Sequence, residues 1–234
     1  MRLYIVRHAE PDYANDTITA DGHLEAKALG ERLAEEGMDK IYSSPLGRAI
    51  DTMKYTSRGL KNSYNIEEWT KEIPDLGLKE SPWGSIPAWD IPGESIRGGD
   101  SLPVHTDWYE HSLLRKTMAK EKFDELRMNS DSFLKRHGYE RSIGRYRCIE
   151  SNSEKLAVFC HSGFGLAWLA HLLEIPLSLM WSGFWLPPAS VTTILFEERS
   201  KEWAVPRCLG MGDVSHLYKA GLSVKPRGII GNFY

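Results

Sequence analysis

The chain opens on Arg2-Leu3-Tyr4-Ile5-Val6-Arg7-His8, an apolar run that stops abruptly on a cation and an imidazole. The run reads as a buried strand, and a strand that ends this way delivers reactive side chains to the edge of a sheet, where ligands of α/β proteins bind. A second run, Lys155-Leu156-Ala157-Val158-Phe159-Cys160, ends in the same manner on His161. If the two strands lie parallel in one sheet, both imidazoles emerge at the same carboxyl edge, within reach of one ligand. Taken singly, each histidine reads more readily as a polar residue where a strand meets solvent. The coincidence of two such strand ends is the stronger observation.

After the first histidine comes a polar loop, Ala9 to Ala20, and then Leu24, Ala28, Leu29 and Leu33 recur at helical spacing until Gly37 ends the helix. Lys40 to Ser43 reads as a short strand, and Ser44-Pro45-Leu46-Gly47-Arg48-Ala49 starts a second helix with a polar cap and an early proline. The order strand, helix, strand, helix predicts an α/β protein with a parallel sheet. A further strand is expected over Tyr64 to Trp69, an apolar helix after His161-Ser162-Gly163 to about Leu173, and two paired strands over Ser190 to Phe196 and Trp203 to Leu209. The span from about Ile73 to Asn152 holds Pro and Trp clusters, then a charged helical stretch from roughly Trp108 to His137, and is far longer than an ordinary connection. It reads as an insertion that caps a site, so residues 1–234 are expected to form one domain with a cap at about 73–152.

Charge is nearly balanced, 29 Lys and Arg against 32 Asp and Glu for a net −3, so the chain has no global field to hold nucleic acid or an anionic membrane. Anion recognition has to be local. No run approaches transmembrane length, and the start of the chain lacks the basic and long apolar regions of a secretory signal. Three cysteines, Cys148, Cys160 and Cys208, stand at unrelated spacings, which suits a reducing compartment. A cytoplasmic protein is expected, and a homodimer is left open.

Arg48 falls in the first turn of the second helix, at the same sheet edge as Arg7. Two guanidinium forks there have a geometry suited to phosphate, although an exposed helix arginine would read the same way. Gly163 and Phe164 begin a helix whose free N–H groups add anion affinity. His8 is thus a candidate nucleophile, and Arg7 a candidate phosphate clamp.

Four blocks carry a resemblance. Val6-Arg7-His8-Ala9-Glu10 resembles the Arg-His-Gly signature of the histidine phosphatase superfamily, the phosphoglycerate-mutase-like proteins. Ile18-Thr19-Ala20-Asp21-Gly22 resembles the family's helix start, Ser43-Ser44-Pro45-Leu46-Gly47-Arg48-Ala49 its serine-proline-leucine-x-arginine segment, and Phe159-Cys160-His161-Ser162-Gly163 its second-histidine block. Any one block is a weak signal; four in order are specific. The resemblance implies a three-layer α/β/α fold with a mostly parallel central sheet and a largely helical cap. It further implies that His8 forms a phosphohistidine while Arg7, Arg48 and His161 hold the phosphoryl oxygens of a small-molecule phosphoester, with no metal or other cofactor.

The leaving alkoxide needs a proton, so a general acid is expected near the pocket. The family places a glutamate after the strand that follows the second helix, which corresponds to Glu72 here, with Glu67, Glu68 and Glu80 as neighbouring alternatives. The signature's glycine is Ala9, tolerable if the backbone there does not need positive φ. The family's asparagine beyond the signature has no aligned counterpart; Ala14 stands at that spacing and Asn15, one position late, is kept as a substrate contact. His216 is a second candidate from the C-terminal segment, with a structural histidine as the plainer reading. Trp83, Trp89 and Trp108 either line an apolar pocket or anchor the cap, the second reading being preferred.

Rival motifs fail. A cysteine phosphatase loop built on Cys160 needs an arginine where Leu166 stands, Gly163-Phe164-Gly165 lacks the context of a dinucleotide fingerprint, and His161 with His171 has no metal-ligand spacing. The expected activity is a metal-independent phosphatase; a phosphoglycerate-type mutase and a phosphate-ligand-binding protein without turnover are the alternatives.

Overall fold

The structure, a computed structural model, describes residues 1–78, 81–229 and 231–233. In chain order the elements are β1 (Arg2–Arg7), a short pair β2 (Pro11–Asp12) and β3 (Thr17–Ile18), α1 (Ala20–Glu36), β4 (Lys40–Ser43), α2 (Gly47–Leu60) and β5 (Tyr64–Ile66). A second short pair, β6 (Gly77–Leu78) and β7 (Ile86–Pro87), precedes α3 (Gly93–Arg97), α4 (Ala119–Arg136) and the hairpin β8 (Tyr139–Ser142) and β9 (Arg145–Cys148). The chain finishes with β10 (Lys155–Cys160), α5 (Ser162–Leu173), α6 (Leu177–Gly183), β11 (Val191–Glu198), β12 (Trp203–Asp213) and α7 (Ser215–Lys219).

Eight strands form the central sheet in the order β5-β4-β10-β1-β11-β12-β9-β8. The first four are parallel and the rest antiparallel, so the sheet is mixed where a mostly parallel one was expected. Two of the antiparallel pairs have a local cause: β8 with β9 and β11 with β12 are hairpins, and a short turn can only join antiparallel strands. The parallel half places β1 directly beside β10, with Arg7 opposite Cys160. The two histidine-tipped strand ends are therefore neighbours.

Alternation along the strands builds the layers, because successive side chains point to opposite faces. Leu3 and Ile5 of β1, with Leu156 and Val158 of β10, join the core beneath α5 and α4. Tyr4 and Val6, with Ala157 and Phe159, pack instead under α1 and α2 through Leu29, Leu33 and Met53. Burying side chains of this kind contributes roughly 1.5–3 kcal/mol each. Helix α5 is apolar all round, with every residue from Gly163 to Leu172 buried, because it is wedged between the sheet and the inserted span.

Several local expectations shift. Ser44 does not cap α2, which starts at Gly47 with Leu46 in the cap position. The strand expected to reach Trp69 stops at Ile66, and a 3-10 turn over Glu68–Thr70 swings the Trp69 ring into Phe133, Phe164 and Trp168. The inserted span is not one helical cap. Only Ala119–Arg136 of the expected 108–137 stretch is α-helix, two 3-10 turns precede it, and β8 and β9 extend the sheet. Among the described residues no helix is long and apolar enough to cross a membrane.

Candidate active site

A cavity of about 730 Å³ opens at the carboxyl ends of β1 and β10. Its floor carries Arg7, His8 and Arg48; Glu72 stands at the side, and the roof comes from Pro87, Trp89 and Asp90, from the stretch after α6, and from Arg227 to Ile229.

His8 is 2% exposed, and its Nδ1 lies 2.7 Å from the Ala9 carbonyl oxygen. A carbonyl can only accept, so Nδ1 carries the hydrogen and the Nε2 lone pair is left for the cavity. Burial, with Arg7 and then Arg48 acting in the same sense, holds the imidazole well below its ordinary range, which favours the neutral ring. Ala9 is not among the residues with positive φ, and its N–H donates to Thr52 Oγ1 at 2.9 Å. A glycine is therefore dispensable at that position.

His161 lies behind His8, ring centroids 5.1 Å apart, and is fully buried. Its Nε2 is 2.8 Å from Ser44 Oγ, which also accepts the Leu46 N–H at 3.3 Å. Ser44 Oγ has no other acceptor for its hydrogen among the described residues, so the hydroxyl donates to Nε2 and leaves the imidazole hydrogen on Nδ1, which is buried with no partner among the described residues. Arg7 Nε and Arg48 Nε share that condition. Three buried donors without acceptors at one sheet edge are costly unless an anion completes them. Arg7 is held by the carbonyls of Leu186 and Arg227, and Arg48 by Asp16 Oδ1 at 2.8 Å. Asp16 also accepts the Gly47 N–H at 2.7 Å, and a Cβ on Gly47 would lie 2.0 Å from the Asp16 carbonyl oxygen, so glycine is required for this approach.

Glu72 accepts the N–H groups of Phe164 at 2.7 Å and Gly163 at 3.2 Å, at the start of α5. The Gly163 amide, expected to bind phosphate, is therefore committed to a carboxylate that reached the helix N-terminus first. The glycine has another use: a Cβ there would come within 2.6 Å of the Trp89 ring and 2.9 Å of Glu72. Burial pushes the Glu72 carboxyl up, against the pull of its backbone donors and Arg7.

The alternatives to Glu72 lie elsewhere. Glu67 is paired with Arg136 at 2.7 Å, Glu68 with Lys71 at 2.7 Å, and Glu80 falls outside the described residues. Asn15 does not reach the cavity; its amide closes a loop onto Asp12 Oδ2 at 2.8 Å, and Tyr13 lines the wall instead. His216 is also elsewhere, buried in α7 beside Arg32 of α1 at 3.3 Å, because α7 packs on the opposite face of the sheet. Of the three tryptophans in the inserted span, Trp89 lines the cavity, Trp108 is buried in the core and Trp83 is exposed. Cys160 is fully buried, and burial pushes its thiol up, as for an inert strand residue.

Sequence reasoning did not find Asp16, Asp90, Trp181, Trp185 or Arg227. The only prior signals were indirect: an Asn-Asp pair in a turn-forming loop, and Pro226-Arg227-Gly228 as a turn. Arg227 reaches Glu10 Oε1 at 2.7 Å, and its carbonyl accepts the Trp185 indole N–H at 3.0 Å, which ties the C-terminal segment to the roof. Among the described residues no group of three or more His, Cys, Asp or Glu side chains could hold a metal ion.

This geometry has relatives. The family model of the histidine phosphatase superfamily, branch 1, matches residues 3–207. The chain belongs to the histidine phosphatase superfamily. A Hydrogenobacter thermophilus protein, provisionally named phosphoserine phosphatase 2, is 24% identical over 209 residues, covering 84% of this chain and 90% of that one. The fold matches the phosphoserine phosphatase of Entamoeba histolytica crystallised with 3-phosphoglyceric acid (TM-score 0.63, 18% identity, 92% of this chain and 98% of that one). It also matches the alpha-ribazole phosphatase of Shigella flexneri (TM-score 0.57, 18% identity, 92% and 97%). The histidine phosphatases of this group share the mixed α/β architecture seen here.

Proposed function

We propose that the protein hydrolyses a small-molecule phosphomonoester through a phosphohistidine on His8, without a metal. His8 Nε2 attacks phosphorus, forming the P–N bond as the P–O bond to the leaving group breaks. Glu72 gives its proton to the departing alkoxide. Water then attacks the phosphohistidine, its proton passing to the Glu72 carboxylate, and phosphate leaves as the P–N bond breaks, restoring both groups.

The observation that carries this reading is the protonation pattern of His8: Nδ1–H tied to the Ala9 carbonyl and a neutral ring with its Nε2 lone pair free. The unpartnered Arg7 Nε, Arg48 Nε and His161 Nδ1 support a site for the phosphoryl oxygens, where fixed positive charge stabilises the transferring group. The upward shift of Glu72 supports an acid that still holds its proton when the leaving group needs it. Hydrolysis is favoured over a phosphoglycerate-type mutase reaction by the phosphatase names of the relatives. The intact pair of histidines and pair of arginines favours turnover over mere ligand binding. The protein is read as one domain in the cytoplasm.

Rapid acid-free quenching of the enzyme with radiolabelled phosphomonoester is expected to trap label on a histidine, and peptide mapping to place it at His8. Turnover with no label at His8 at any quench time would sink the phosphohistidine reading.

A further inference from the structure

The carboxyl group of Asp90 occupies an unusual position in the roof. The cavity contains two carboxyl groups, Glu72 and Asp90, and three guanidinium groups, Arg7, Arg48 and Arg227. Nearly all have assigned partners: Glu72 takes backbone N–H groups, Arg48 takes Asp16, and Arg227 takes Glu10. Asp90 accepts no hydrogen bond and forms no ion pair among the described residues, although it is partly buried and feels the charge of Arg7. It is not loosely held. It ends a 3-10 turn, Ala88–Asp90, in which Ala88 is buried and the Trp89 ring is wedged against Trp181, ring centroids 6.3 Å apart, and above Gly163. The Asp90 oxygens open on the cavity and are committed to no group among the described residues, so this fixed carboxylate is free to take a donor from a bound molecule.

Resting on the phosphatase reading, we infer that Asp90 selects the leaving group: the preferred substrates are phosphomonoesters whose alcohol carries a protonated amine, which pairs with Asp90 while the phosphoryl group sits between Arg7 and Arg48. The surrounding walls agree with this charge. Trp89, Trp181 and Trp185 line the same cavity, and indole rings attract cations. A leaving group bearing a carboxylate meets Asp90 as a like charge and is rejected, so one residue supplies both the attractive and the repulsive part of the specificity. Desolvation raises the Asp90 pKa while Arg7 opposes it, and an ammonium partner reinforces the ionised form.

The test uses three alkyl phosphates of similar size: O-phosphoethanolamine with an ammonium, propyl phosphate without charge, and phosphoglycolate with a carboxylate. In the native enzyme kcat/KM is expected to fall in that order, with about tenfold between the first two, the scale of one partly desolvated charge pair. In Asp90→Asn the ratio of the first to the second is expected to drop to about one, and in Asp90→Glu to stay above one, as a retained charge requires. A merely structural role would lower all three rates together and leave the ratio unchanged, which would overturn the assignment. A native ratio at or below one would overturn it as well. Titrating the same three ligands into His8→Ala reads the preference as a ratio of Kd. An enzyme that turns over none of the three would count against the phosphohistidine reading, while the Kd ratio still decides the role of Asp90.

Discussion

The floor of the cavity, Arg7 and His8 at the end of β1 and Arg48 in the first turn of α2, is attached to the sheet through the main chain, whereas the roof hangs from side-chain packing. Arg7 is in register with Cys160 on the neighbouring strand, His8 N–H bonds the Cys160 carbonyl at 3.0 Å, and Ala189 N–H bonds the His8 carbonyl at 3.1 Å. The roof residues Trp89, Asp90, Trp185 and Arg227 come from separate segments held by ring contacts, the indole hydrogen bonds of Trp181 and Trp185, the Arg7 bond to the Arg227 carbonyl and the half-exposed Arg227–Glu10 pair. A ladder of backbone hydrogen bonds holds a side chain in place whatever its neighbours are; a packed loop holds it only with those neighbours. On the function proposed here, the floor would carry out the phosphoryl transfer and the roof would choose what carries the phosphate.

That division can be broken most forcefully at His8. His8→Ala is expected to lower turnover of 4-nitrophenyl phosphate by about 10⁴-fold or more, the usual scale for loss of a nucleophile, with an unfolding midpoint close to that of the native protein. Turnover near the native level would show that the chemistry does not depend on the strand end. Glu72 sits where floor meets roof, and a smaller, substrate-dependent loss is expected there. Glu72→Gln should cost about 10²-fold on an alkyl phosphate and far less on 4-nitrophenyl phosphate, whose leaving group needs no proton.

The pH profile sharpens this. Because burial raises the Glu72 carboxyl, its proton is retained above the ordinary carboxylate range, and alkyl phosphate rates should fall as pH rises through that raised value. Glu72→Gln should abolish that limb. Because His8 is lowered, no loss from its protonation is expected as pH falls through 6.5, the ordinary imidazole value. A histidine-dependent limb at that pH would show that the ring is not held neutral by its burial and by Arg7. The smallest effect is expected in the roof. Arg227→Ala removes a half-exposed ion pair with Glu10, so KM should change by up to about fivefold, the scale of such pairs, with a lesser change in kcat. A larger effect on kcat than on KM would place Arg227 with the floor.

The floor was legible because its residues sit at the ends of regular elements. An apolar run that stops on Arg7-His8, another that stops on His161, and an arginine one residue into a helix are local patterns; that β1 and β10 lie side by side and parallel is what the fold added. Glu72 was legible from the family resemblance; its bonds to the α5 N-terminus were not. Asn15 and His216 show the limit of reasoning by spacing. Asn15 misses the cavity because Asp12 captures its amide, and His216 because α7 settles on the α1 face. Asp16 was passed over although it adjoins Asn15, since its role depends on where Gly47 brings the start of α2.

From its order of residues alone, this chain determined an α/β sheet edge carrying two histidines and two arginines, because strand periodicity and strand termination are properties of a few consecutive residues. Only the tertiary structure decided that Glu72 would occupy the amides of α5, that Gly163 would make room for Trp89, and that Asp90 and Arg227 would line the same cavity as Arg7, His8 and Arg48. Those contacts join segments far apart in sequence, and their positions depend on how the inserted span and the C-terminal segment pack over the sheet.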